Sequence, residues 1–117
     1  VMAVQATSPY HAKESFLCIR RTIEAARFNT VPYHENIPSF GEWGFLIAWK
    51  NHLDSDKVTN RLRRLTLTPP TRYLTSEGFQ RALVFGKDEL ISKNKDINTL
   101  MYPVLLSYYL NESWLSD

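Results

Sequence analysis

The sequence predicts an α/β domain, and three observations carry that assignment. Residues 1–6 form an apolar run broken only by Gln5, the mark of a short buried strand. Phe16, Ile19, Ile23 and Ala26 then recur at spacings of three and four, which builds one apolar helix face. Residues 43–49, Trp-Gly-Phe-Leu-Ile-Ala-Trp, are aromatic and β-branched enough for a second buried strand. The chain has 117 residues, 44% apolar and 22% charged, which suits one folded domain and excludes disorder on composition.

Thr7-Ser8-Pro9 marks a turn, and a serine followed by proline is a good helix start. The helix predicted over 10–27 keeps Lys13, Arg20, Arg21, Glu24 and Arg27 largely off its apolar face, and Asn29 supplies a stop. Residues 31–36 read as a strand, with Pro32 near its beginning where proline is tolerated. The short loop 37–42 makes its pairing with 43–49 antiparallel. A helix is predicted over 56–65, with Val58, Leu62 and Leu65 on one face, ended by Pro69-Pro70. Thr75-Ser76-Glu77 is another helix start, ahead of Phe79, Ala82, Leu83 and Val84. Residues 86–94 are charged and loop-like, and Pro103 suits the first turn of a terminal helix carrying Leu106, Tyr109 and Leu110. The chain thus divides into a sheet-forming part, 1–53, and a mostly helical part, 54–117.

Composition excludes several functions. A net charge of +2 argues against a nucleic-acid or membrane surface. Arg61-Leu62-Arg63-Arg64 lacks an interleaved aromatic platform and reads as a solvated helix face. A lone cysteine, Cys18, excludes an internal disulfide or a cysteine metal cluster, and its helical setting makes it a small buried hydrophobe. His11, His34 and His52 have no metal-ligand spacing. No apolar run reaches the roughly 18–20 residues of a membrane span and no secretory pattern opens the chain, so a soluble, cytoplasmic protein is expected. Fifteen aromatic residues stand against four glycines, and no G-x-G-x-x-G loop is present to cradle a phosphate. A start inside a strand reads as truncation, that is, a fragment.

Three segments in collinear order resemble the spermidine synthase (polyamine aminopropyltransferase) family. Val4-Gln5-Ala6-Thr7-Ser8-Pro9-Tyr10 is similar to a strand-end segment that reads V-Q-G-E-S-P-W there. Ile37-Pro38-Ser39-Phe40-Gly41-Glu42-Trp43-Gly44-Phe45 resembles I-P-T-Y-P-S-G-Q-W-G-F, and Arg72-Tyr73-Leu74-Thr75-Ser76-Glu77-Gly78-Phe79-Gln80-Arg81-Ala82 resembles R-Y-Y-N-P-E-I-H-R-A-A. The Ser-Phe-Gly-Glu-Trp-Gly-Phe version looks most like bacterial forms with an N-terminal membrane region. The resemblance implies the C-terminal portion of a methyltransferase-like, Rossmann-type doubly wound sheet, ending in an antiparallel strand pair and a helical tail. It also implies that decarboxylated S-adenosylmethionine, the co-substrate, is held by upstream residues, so this segment carries no cofactor itself. A catalytic aspartate belongs upstream as well.

The resemblance assigns Gln5 to the amine acceptor, at the strand end where open α/β sheets bind ligands. A carboxamide oxygen accepts from an ammonium. The alternative is a strand-end polar residue bonded to nearby backbone. Ser39, Phe40 and Glu42 lie in the loop matching the acceptor-pocket wall; Phe40 stands where the family often has Tyr, and the loop is two residues shorter. Glu42 is either an anion facing a cationic amine or a solvated loop carboxylate. Tyr10, Trp43 and Phe45 read as packing residues. The expected partner is a small-molecule polyamine and not nucleic acid, with self-association through an unpaired strand edge and a longer chain attached to the membrane. The competing class is a non-catalytic oligomerisation or cap module.

Overall fold

A computed structural model describes residues 1–51, 53–66 and 70–111. His52, Pro69 and Trp114 lie outside the described residues. The elements are β1 (Met2–Gln5), α1 (Lys13–Ala25), β2 (Asn29–Ile37), β3 (Gly41–Trp49), α2 (Ser55–Arg63), α3 (Ser76–Ala82) and α4 (Val104–Asn111). The three strands form one antiparallel sheet in the order β1-β3-β2, giving a mixed α/β fold. Among the described residues no helix is long and apolar enough to cross a membrane.

The central strand β3 pairs Leu46 with Val4 and Phe45 with Gln5 on one side. On the other it pairs Leu46 with Pro32, Phe45 with Tyr33 and Glu42 with Asn36. Alternation along each strand then assigns the two faces. Val4, Ala6 and Leu46 face α1, packing with the fully buried Phe16 and with Leu17. Val31, Tyr33 and Ile47 face α2 and α3, where they meet Trp49, Val58, Leu62, Phe79 and Leu83. The chain thus has two small cores, one on each side of a thin sheet.

Gly44 fixes the close approach of α1. A Cβ there would fall 2.8 Å from Phe16 Cδ2 and 2.9 Å from Pro9 Cδ, so only glycine fits without movement. Ser8 begins the helical region as expected: its Oγ accepts from the N–H groups of Tyr10 and His11, at 3.3 and 3.0 Å. The regular helix starts only at Lys13, because residues 9–12 are turn. Thr75 caps α3, its Oγ1 accepting from Gly78 N–H at 2.9 Å.

Four expectations need correction. Residues 1–6 are not a buried strand: Met2, Ala3 and Gln5 are exposed, because β1 is the edge of the sheet. The chain leaves α1 through Arg27, which takes the left-handed φ of 68°, and Asn29 already belongs to β2. Gly41 and Glu42 belong to β3 and not to a loop. The buried arc of α1 is Ser15 to Cys18, with Ala26 exposed. Part of the reason for the last is a strap, residues 88–98, bonded along the helix, with Leu90 packed on the same core cluster as Leu17. Lys13 Nζ donates to Asp88 O (2.9 Å), Asn94 Nδ2 to Glu14 Oε1 (2.9 Å), Arg21 Nε to Asp96 O (2.8 Å) and Asn98 N–H to Thr22 Oγ1 (2.8 Å). Helix polar groups thereby satisfy an otherwise irregular backbone.

Candidate functional site

The carboxyl end of β1 pairs with Phe45 and Gly44 of β3, on the half of that strand nearer the β2–β3 hairpin turn. Ala6 N–H donates to Gly44 O at 2.9 Å, and Gly44 N–H donates to Thr7 O at 2.6 Å. Thr7 leaves the strand with φ of 60°, an uncommon conformation for a β-branched residue. Its Oγ1 is buried without a hydrogen-bond partner among the described residues. The hairpin turns through Pro38, Ser39 and Phe40, closed by Phe40 N–H donating to Ile37 O at 2.9 Å. Gly41 returns the chain into β3 with φ of 80°, a conformation that favours glycine.

Of the four residues singled out from sequence, Gln5, Ser39 and Phe40 are exposed. Phe40 is 68% exposed, and its ring leans on Trp43, with centroids 5.6 Å apart. Glu42 is placed differently. The register sets Gln5 opposite Phe45, three residues from Glu42, so the two side chains occupy opposite faces of the sheet. Glu42 Oε1 is bonded to His34 Nδ1, and His34 Nε2 is bonded to the carbonyl oxygen of Val84. The imidazole also lies against Phe85, centroids 4.3 Å apart. Burial works against a charge on His34, but its bonds to Glu42 and Val84 and the nearby Glu89 carboxylate raise its pKa above 6.5.

Sequence reasoning passed over His34 except as a metal ligand. Its link to Glu42 was accessible once the hairpin register is known: Asn36 faces Glu42, and His34 is the same-face diagonal neighbour. Cys18 is buried, with its Sγ 3.8 Å from Asp96 O and its pKa raised by burial, the behaviour of an inert thiol. No group of three metal-ligating side chains exists among the described residues.

On the other face, Tyr33 stacks on Phe45, centroids 5.1 Å apart and planes 16° from parallel. The row Gln5, Phe45, Tyr33 therefore runs across all three strands. Beyond Tyr33 the sheet and α3 enclose a cleft whose wall includes Glu35 and Tyr73. Glu35 Oε1 accepts from Asn36 N–H at 2.9 Å and from Arg81 Nη2 at 3.4 Å.

No family model matches this chain, and no solved structure does. Similarity to curated proteins is nevertheless extensive. A polyamine aminopropyltransferase of Shewanella oneidensis is 35% identical over 97% of this chain and 19% of its own length. Polyamine aminopropyltransferase 2 of Ralstonia nicotianae and the polyamine aminopropyltransferase of Oceanobacillus iheyensis are each 34% identical, over 97% of this chain and 21% of their own. The chain spans about a fifth of the length of the curated relatives it matches. Almost end to end, it is homologous to one stretch of the polyamine aminopropyltransferases.

Proposed function

We propose that this chain is the C-terminal part of an aminopropyltransferase and supplies the amine-acceptor side of its site. The observation that carries the proposal is the pairing of β1's carboxyl end with Phe45 and Gly44, which sets the exposed Gln5 beside the strand that leads from the hairpin turn bearing the exposed Ser39 and Phe40. Collinear similarity to the aminopropyltransferases over 97% of the chain supports it. In this reading the sheet continues beyond β1 as a Rossmann-type parallel sheet, and decarboxylated S-adenosylmethionine binds upstream residues.

The reaction is a displacement at carbon. The amine lone pair forms a bond to the aminopropyl carbon, the carbon–sulfur bond breaks, and sulfur leaves as a neutral thioether. The proton released by the new ammonium passes to a base on the upstream part. This chain's contribution is orientation, holding the amine in line for attack. The Gln5 carboxamide accepts from the ammonium and Ser39 and Phe40 shape the pocket, while Glu42 braces the hairpin through His34. The test is to incubate the chain alone with decarboxylated S-adenosylmethionine and putrescine. No turnover above the uncatalysed control is expected; turnover surviving repurification would mean that a complete site lies within these 117 residues.

A further inference from the structure

We infer that the cleft between the sheet and α3 is a binding site for the ammonium end of a short linear alkylamine, with Glu35 as counter-ion. The central strand β3 separates Glu35 on β2 from Gln5 on β1, and the inference rests on the cleft's own chemistry and not on the aminopropyl-transfer reading.

Two adjoining cavities share Glu35 and Tyr73 as walls. The deeper one, about 440 Å³, is lined by apolar side chains of the second core, Ile47, Phe79 and Leu83, together with Leu74. It falls within the size range of small-molecule pockets. Among its described lining residues Glu35 is the only one charged at neutral pH. The outer cavity, about 430 Å³, is polar and adds His34, Asn36, Glu42 and Arg81.

A carboxylate beside an apolar wall selects for a ligand that is cationic at one end and hydrocarbon at the other. The side chain of Glu35 is only 23% exposed, which strengthens its pull on a cation relative to a surface carboxylate. Its protein partner, Arg81, is 71% exposed and reaches it at 3.4 Å, a loose pair that an incoming ammonium can share or displace. Tyr33 and Tyr73 add two aromatic rings to the wall, and ring faces attract ammonium groups. A neutral ligand satisfies the apolar wall but leaves the carboxylate without a new partner. An anion in the deeper cavity meets the Glu35 carboxylate and no cationic side chain among the described lining residues.

The test is calorimetric titration of the full chain at low salt with hexylamine, hexanol and putrescine, paired with amide chemical-shift mapping. Hexylamine is expected to bind about tenfold or more tightly than hexanol, with shifts centred on residues 33–35 and 73–83. Added salt weakens hexylamine alone. Glu35→Gln keeps the side-chain volume and removes the preference for amine over alcohol. Tyr73→Ala, at a residue 77% exposed, weakens hexylamine several-fold without disturbing the fold. Equal binding of hexylamine and hexanol, no binding, or an unchanged preference in Glu35→Gln would overturn the inference. So would shifts centred on Gln5 and Phe40, which would move the amine to the acceptor side and leave the proposed function standing.

Discussion

His34 on β2 bonds Glu42 on β3 through one ring nitrogen and the Val84 carbonyl through the other, so both partners are acceptors. A neutral imidazole carries one N–H and satisfies one of them; the imidazolium satisfies both. The clasp ties the hairpin to the segment after α3, 50 residues away in sequence. It therefore selects the protonated ring.

The pH dependence of stability follows. A raised folded-state pKa means that the clasp contributes fully below the unfolded value of 6.5 and is lost as pH rises through the higher folded value. The melting temperature is expected to fall as pH increases above about 6.5, and His34→Gln is expected to flatten that slope. Thermal melts of both proteins across that range measure it; parallel slopes would remove His34 from the account.

At the acid end the sign reverses. Burial of Glu14 opposes its charge, but hydrogen bonds from Ser92 and Asn94 and the nearby Lys13 and Arg21 lower its pKa below 4.5. Its contribution is present above that value and lost as pH falls through the lower folded-state pKa. Hydrogen-exchange protection factors in residues 88–98, taken relative to the intrinsic rate at each pH, should fall over this acid range. Glu14→Gln should show that loss of protection already at neutral pH.

Gly44→Ala tests the packing of α1 on the sheet. The added methyl meets the Phe16 and Pro9 rings, both fully buried, so relief requires movement of the helix or β3. A loss of about 1–3 kcal/mol is expected in denaturant unfolding. Phe16→Ala removes the ring itself, at about 3–5 kcal/mol.

Among the described residues no strand pairs the outer edge of β1, and open edges recruit other strands. Sedimentation should show mass rising with concentration, and charge placed on this edge, as in Ala3→Lys, should suppress it. A monomer at all concentrations would mean the edge recruits nothing.

Much of this fold was legible because its signals are local. The helix α1 itself, though not its full buried face, the Thr75 cap and the short loop between β2 and β3 each follow from signals within a few residues. The exposure of β1 was not legible, since an apolar run does not record whether a neighbouring strand covers it. The strap over α1 was missed because its charged sequence resembles a free loop; side chains some 75 residues earlier, Lys13, Glu14, Arg21 and Thr22, hold it in place. For the candidate site, the sequence brought out Gln5, Ser39 and Phe40 but not the opposite-face position of Glu42. That depends on the hairpin register, which Gly41 sets.

The most direct test of the central claim is a chimera in which this chain replaces the matching stretch of the Shewanella oneidensis enzyme, 35% identical to it. The chimera is expected to catalyse aminopropyl transfer. With Gln5→Ala, the KM for the amine should rise about tenfold or more while the KM for decarboxylated S-adenosylmethionine stays unchanged. A rise in the donor KM with the amine KM unmoved would contradict the assignment of this chain to the acceptor side.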